Sequence, residues 1–250
     1  MIEITLILPA YNEAGRIEET VKGAISYFNE RNISYEIIVS ADGDDGTREI
    51  VDGMSKNNPS LKAIGNVDRR GKGYGIRNAV GMAKGKIIGF ADADDKTPIT
   101  EFDNFYPLLK AGWDLVIGSR GQKESRIERK QPWYRQVGSK GFGVFMRLST
   151  GLWDISDTQC GFKFFRAEVG RELFGRQKID GYMFDVEILY LAKKIGYSIN
   201  QVPVRWRDDG DTRLNLVAGN IRNFMDVLHI RSLHAMNGMQ IEENEVGNDK

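Results

Sequence analysis

Short apolar runs alternate with helix-patterned segments through the first half of this 250-residue chain, and the runs end in polar clusters. No other feature restricts the fold as much. A run at 4–8 leads into Pro9-Ala10-Tyr11-Asn12-Glu13, and residues 16–29 carry Ile17, Val21, Ala24, Ile25 and Phe28 on one helical stripe. A second run at 35–39 ends in Asp42-Gly43-Asp44-Asp45-Gly46-Thr47 and a helix to about residue 54. A weak strand at 61–64, a helix at 73–83 and strands at 87–91 and 115–118 follow. Strand–helix alternation of this kind builds right-handed βαβ units, so the expected class is α/β with a mostly parallel sheet flanked by helices.

The second half is less regular. Residues 131–153 have a helical pattern interrupted by Gly138, Gly141, Gly143 and Gly151, each costing up to about 1 kcal/mol in a helix interior. A cleaner helix at 184–195, a strand at 198–204 and a final helix at 215–233 complete the pattern, the last apolar at Val217, Ile221, Phe224, Met225 and Leu228. No linker divides the chain. The expectation is one domain over 1–236 (ligand-binding half 1–118, elaborated half 119–236, with amphipathic C-terminal helices) and a disordered acidic tail over 237–250.

Composition excludes several classes. Thirty-five basic and 35 acidic residues cancel, so no global field draws the protein to nucleic acid. Cys160 is the only cysteine, which rules out an intramolecular disulfide and suits a reducing compartment. His229 and His234 are too few for a histidine zinc site and are expected to be surface or packing residues. No stretch approaches the ~18 apolar residues of a membrane span, and the N-terminus is too short and acidic for a signal peptide. A soluble or peripheral protein is expected.

The chemistry concentrates in Ile87-Ile88-Gly89-Phe90-Ala91-Asp92-Ala93-Asp94-Asp95. If the chain stays extended past Ala91, Asp92 and Asp94 point the same way, beyond the edge where open parallel sheets bind ligands. Paired carboxylates suit Mg²⁺ or Mn²⁺, which share their coordination with substrate phosphates. The alternative is a solvated strand-end turn. Tyr11 offers a face for a base, Glu13 a nearby carboxylate, and Asp42 an acceptor for ribose hydroxyls. Arg70-Gly71-Lys72-Gly73 opens a helix whose N-terminus favours an anion, its glycines letting backbone N–H groups approach. It is not a Walker A loop, and the dinucleotide fingerprint is missing after the first strand, which argues against NAD.

Pro9-Ala10-Tyr11-Asn12-Glu13, Asp42-Gly43, Gly71-Lys72-Gly73 and Asp92-Ala93-Asp94, in this order, resemble the inverting family 2 glycosyltransferases of GT-A (Rossmann-like) fold. Asp157-Thr158-Gln159-Cys160-Gly161-Phe162-Lys163, Phe184-Asp185-Val186-Glu187 and Val202-Pro203-Val204-Arg205-Trp206 are similar to its dolichyl-phosphate β-glucosyltransferase branch, and more distantly to the dolichol-phosphate mannose synthases. The resemblance spans about residues 2–230. It implies that Pro9, Tyr11, Glu13 and Asp42 hold the nucleoside, that Lys72 lies near the donor nucleotide, and that Asp92 and Asp94 bind Mg²⁺ or Mn²⁺ on the diphosphate, with Asp94 catalytic. It further implies a nucleotide-sugar donor, UDP-glucose before GDP-mannose, and a dolichyl or other polyprenyl phosphate acceptor. Two departures stand out. Ala41 and Asp44 replace an Asp and a Ser of the family's second-strand loop, and Arg213 in Gly210-Asp211-Thr212-Arg213-Leu214 stands where the family has lysine.

The acceptor turns on a base. A sugar hydroxyl needs one, for which Asp95 or Asp157 is available; a lipid phosphate is already ionised and needs cations instead. Arg120, with Arg135 and Ser139 at i, i+4 spacing, can form such an anion pocket and matches the family's acceptor-phosphate residues, with Arg120 and Arg135 catalytic and Arg213 contributing. The alternative is a solvated basic face. A lipid acceptor also demands membrane contact. Trp133, Tyr134, Val137, Phe142, Phe145, Leu148, Leu152 and Trp153 interleave with Arg135, Lys140 and Arg147, which suits an interfacial helix as well as one packed on the sheet. The expected setting is the cytoplasmic face of a membrane, peripherally bound. Two competing expectations are a soluble transferase acting on a glycan hydroxyl and a non-catalytic nucleotide-sugar-binding subunit.

Overall fold

The computed structural model describes residues 1–127, 133–207 and 218–235, without the side chains of 133–140 and 218–220. Its elements are β1 (Ile4–Tyr11), α1 (Ile17–Glu30), β2 (Tyr35–Asp42), α2 (Thr47–Ser55), β3 (Leu61–Ile64), α3 (Lys72–Met82), β4 (Ile87–Ala91), α4 (Phe102–Lys110), β5 (Leu115–Ser119), β6 (Arg126–Ile127), α5 (Trp133–Thr150), β7 (Phe162–Arg166), α6 (Ala167–Arg176), α7 (Phe184–Ile195), β8 (Ile199–Pro203), β9 (Arg205–Trp206) and α8 (Ala218–Leu233). Seven strands form one sheet in the order β3-β2-β1-β4-β7-β5-β8, and β6 pairs with β9 beside it. Only β7 runs antiparallel, against both β4 and β5.

The core follows strand period. Ile4, Leu6 and Leu8 of β1 face the layer of α1, α2 and α4, whereas Ile7 faces the layer of α3, α5, α6, α7 and α8. Phe162 and Phe164 of β7 join the first layer and Phe165 the second. Strand β7 and helices α4 and α6 are not marked by the sequence pattern. Lys163 interrupts the apolar run of β7, and Pro107 sits inside α4. Gly89 pairs with Phe164 in register, and a Cβ on Gly89 would lie 1.9 Å from that ring. The glycine is therefore a seat for the phenylalanine.

The last helix turns the apolar positions picked out in the sequence toward solvent. Val227 and Ile230 are its core contacts, whereas Ile221, Phe224, Met225 and Leu228 are exposed. His234 is buried and bonds Glu187 at 2.6 Å, a packing role; His229 is exposed. The expected tail, 237–250, lies outside the described residues.

Candidate active site

The strand ends bring the motifs together. Tyr11 and Asp42 are register partners at the C-terminal ends of β1 and β2, and β4 runs parallel on the other side of β1. The chain does not stay extended past Ala91. Strand β4 ends there, Ala93 and Asp94 form a turn, and Asp95 N donates to Asp92 O at 3.3 Å. Both carboxylates thus belong to one tight turn rather than to one face of a strand. Thr20 of α1 pins this turn through Ala93 O at 2.8 Å.

Each carboxylate is met by a lysine. Lys72 Nζ lies 2.6 Å from Asp92 Oδ1, and Lys96 Nζ lies 3.0 Å from Asp94 Oδ2. Burial opposes a charged Lys72, but Asp92 and Asp185 outweigh it and hold the ammonium above the ordinary lysine range. Behind them, Lys163 Nζ reaches Asp185 Oδ1 at 2.5 Å and Cys160 O at 2.7 Å, in full burial. Burial pushes Asp185 up, against the pull of Lys163 and Lys72. Gly161 completes the seat: Asp92 N donates to its carbonyl at 3.0 Å, and a Cβ there would lie 2.0 Å from Asp92 Oδ2.

The donor set fits a hard divalent cation that takes its remaining ligands from phosphate and water. Two carboxylates share one turn, and Gly161 leaves the room a side chain would fill. Among the described residues no group of three Asp, Glu, His or Cys forms a closed metal cage.

The nucleoside end is more elaborate than expected. Asp42 spends Oδ1 on Asn66 N and Nδ2, at 3.1 and 3.3 Å, and Oδ2 on Arg70 N at 2.8 Å. It therefore shapes the 65–70 loop besides offering a carboxylate to a ligand. Arg69 lies over the Tyr11 ring at 4.3 Å and donates to Tyr182 Oη at 2.8 Å, covering the face proposed for a base. Pro9 sits in β1 beside them. Glu13 N donates to Thr47 Oγ1 at 3.0 Å, joining the first and second strand-end loops. Gly71 and Gly73 serve packing: a Cβ on Gly71 would lie 2.3 Å from Asp180 O, and one on Gly73 2.7 Å from Ile179 O. Tyr74 N donates to Asp180 O at 3.2 Å, so this N–H of the helix start is taken by a protein loop.

Arg120 is committed. Its Nε and Nη2 bind Asp157 at 2.7 and 3.0 Å, its backbone N adds a third bond at 2.9 Å, and its guanidinium lies 5.4 Å from the Trp206 ring centre. Although burial opposes both charges, the pair holds Arg120 above and Asp157 below their ordinary values. That makes Asp157 a poor base. Asp95 is pushed up to about 6 by partial desolvation and the Asp94 and Glu19 charges. Arg135 and Ser139 lie on α5, but their side chains, like Arg213 altogether, lie outside the described residues. Sequence reasoning gave no role to Gly161, Lys163, Asp185 or Arg69. Gly161, Lys163 and Asp185 entered only as members of runs that resemble the family, because the partners that give each its role are distant in the chain.

Comparison with known proteins identifies the family and the fold. Residues 5–174 match the model of glycosyl transferase family 2. Dolichyl-phosphate beta-glucosyltransferase of Dictyostelium discoideum is 32% identical over 92% of this chain and 74% of its own length. The Homo sapiens protein of that name is 28% identical over 96% and 78%. Glucosyl-3-phosphoglycerate synthase from Mycobacterium tuberculosis, solved with Mn²⁺, uridine diphosphate and glucosyl-3-phosphoglycerate, superposes with a TM-score of 0.64 at 20% identity, covering 92% of this chain and 80% of that one. The mannosyltransferase PcManGT from Pyrobaculum calidifontis, solved with GDP-Man and Mn²⁺, gives 0.56 at 23% identity over 94% and 70%. This chain belongs to glycosyl transferase family 2 and has its GT-A fold.

Proposed function

We propose that this enzyme transfers a hexose, with inversion, from a nucleotide sugar to a dolichyl or other polyprenyl phosphate, with UDP-glucose as donor. The observation that carries this is the Asp92–Asp94 turn, set at the sheet edge beside Lys72 and in line with Tyr11 and Asp42. Asp92 and Asp94 would hold Mg²⁺ or Mn²⁺, which neutralises charge on the departing diphosphate. Lys72 adds its ammonium to that charge, and Tyr11 and Asp42 fix the nucleoside. The names of the curated relatives support glucose and a dolichyl acceptor.

An acceptor phosphate is ionised at neutral pH and needs orientation rather than a base. Arg120 presents the Nη1 side of its fork, unused in the Asp157 pair, and Arg135, Ser139 and Arg213 are the further residues we assign to this anion. Transfer to a sugar hydroxyl is the second reading, favoured only by the raised Asp95.

A membrane surface follows from a lipid acceptor. No described helix is long and apolar enough to cross a membrane. Helices α5 and α8 instead carry exposed apolar side chains, Leu148 64% and Ile221 66% exposed, together with Val144, Phe224, Met225 and Leu228. Phe145 and Phe224 stack at 3.7 Å and join the two helices, with Arg222 and Arg231 exposed nearby. Apolar side chains beside cations fit peripheral binding to anionic lipid, on the cytoplasmic face by our assignment. Incubation with radiolabelled UDP-glucose or GDP-mannose and dolichyl phosphate tests the reaction. Label is expected in lipid from UDP-glucose, and Asp94→Ala is expected to lose about 100-fold or more of the turnover with its melting temperature kept. Label found only in glycan would overturn the acceptor, and a fully active Asp94→Ala the metal role.

A further inference from the structure

We propose that Glu187 and His234 are positioning residues for the donor site: the pair holds the 177–182 loop, and that loop sets the start of α3, which carries Lys72. This rests on the reading above that Lys72 lies at the donor diphosphate. Glu187 has no exposed surface and His234 only 1%. Both are ionisable groups that the transfer itself does not use.

A buried carboxylate is costly unless donors surround it. Glu187 is given three. Lys178 N donates to Oε1 at 2.8 Å, Ile179 N donates to Oε2 at 2.9 Å, and His234 Nε2 lies 2.6 Å from Oε1. A carboxylate only accepts, so Nε2 carries the hydrogen of that contact. Two of the donors are consecutive backbone amides of the loop. The carboxylate therefore fixes the course of the backbone, which an apolar side chain of the same volume would not do.

The other side of this loop faces the donor segment. Gln177 Nε2 donates to Ile179 O at 2.6 Å. The carbonyls of Ile179 and Asp180 press on Gly73 and Gly71, where a Cβ would lie 2.7 and 2.3 Å from them. Tyr74 N donates to Asp180 O at 3.2 Å, Arg77 Nη2 lies 2.7 Å from Asp180 Oδ1, and Arg69 donates to Tyr182 Oη at 2.8 Å. Lys72 stands between the two glycines. Backbone meets backbone here with no side chain between, so a shift of the loop is passed on to Lys72 rather than absorbed.

His234 follows α8 and is held in turn by α7, where Lys194 Nζ donates to its carbonyl at 2.5 Å and the Tyr190 ring centre lies 6.4 Å from its own. Helix α8 also reaches the loop at Gly181, where a Cβ would lie 3.5 Å from Asp226 Oδ2. The helix whose exposed side we assign to lipid thus buttresses the donor site through its C-terminal end.

Hydrogen–deuterium exchange, and calorimetry with UDP at saturating MnCl₂, test this on the purified protein. His234→Leu keeps the bulk and removes the donor. Glu187→Gln keeps the size and turns an NH₂ toward one of the three donors. Each is expected to speed exchange over residues 71–76 and to weaken UDP binding by about tenfold, short of the ~100-fold that a 1 Å misplacement costs. His234→Gln, whose amide nitrogen can stand where Nε2 does, is expected to restore both. Leu109→Ala, a cavity in the opposite layer, is expected to lower the melting temperature and to leave UDP binding within about twofold. Unaltered exchange over 71–76 in whichever of the two variants folds, no rescue by His234→Gln, or an equal loss of UDP binding in Leu109→Ala would overturn the positioning role. Failure of the underlying reading looks different: faster exchange over 71–76 with unchanged UDP binding would overturn the placement of Lys72 at the diphosphate.

Discussion

At the scale of single residues, Gly161 shows how much of this site depends on an atom that is missing. Its hydrogen leaves room for the Asp92 carboxylate, which a methyl group would meet at 2.0 Å. Gly161→Ala must displace one or the other, and a misplacement of 1 Å costs on the order of 100-fold in rate. We expect turnover to fall by about that factor while the circular dichroism spectrum is kept; a fully active variant would show that Asp92 can move freely. The neighbouring Cys160 is buried, and burial together with Asp157 pushes its thiol up to about 12. It should resist iodoacetamide in the native protein and react on addition of urea, because the thiolate is the nucleophile. Rapid native labelling would contradict this burial. Asp92, Asp94 and Lys72 could be picked from the sequence because acidic turns after strands and a glycine-flanked lysine are local signals. Gly161, Lys163 and Asp185 could not. Their meaning is a contact across 20 to 70 positions of chain, and no periodicity encodes it.

At the scale of elements, α8 divides its apolar residues between two environments. Val227 and Ile230 pack on the core, while Ile221, Phe224, Met225 and Leu228 face outward. The sequence stripe marked 221, 224, 225 and 228 as the apolar face, and these are the exposed positions. A helix apolar on most of its circumference has no single stripe to read, so orientation is decided by what it docks against. Ile221→Glu and Leu228→Glu should change stability by no more than about 0.5 kcal/mol each, as exposed substitutions do. Each should weaken sedimentation with anionic liposomes by about tenfold, the loss expected when one apolar side chain no longer leaves water. Equal binding by both variants would place the membrane contact elsewhere. Strand β7 is the opposite case. It enters antiparallel between β4 and β5, where its phenylalanines fill both layers and Lys163 is neutralised by Asp185. A buried charge is tolerated there because its partner arrives from α7.

At the scale of the whole molecule, acid sensitivity follows from carboxylates held low in the folded state. Asp157 is held by Arg120 against its burial, and Asp103 by Arg31 and Tyr27. Unfolded aspartates titrate near about 3.9. A folded value below that adds stability above about pH 4, which disappears as pH falls through the folded value. Urea midpoints should therefore fall steeply below about pH 4, and less steeply in Asp157→Asn. That variant should also lose about 3 kcal/mol at neutral pH, since it leaves Arg120 half-buried without its counter-charge. A midpoint independent of pH between about 2 and 5 would refute the linkage. The sequence by itself determined the α/β class, the strand ends at which ligands gather, and the carboxylate and lysine chemistry placed there. Those are local matters: period, turn residues and charge are written within a few positions of one another. Only the tertiary structure decided the antiparallel seventh strand, the bend that puts Asp92 and Asp94 in one turn, the lysine facing each of them, and the commitment of Arg120 to Asp157. Each of these depends on which distant side chain fills a given space and compensates a given charge, and that is settled when the layers pack.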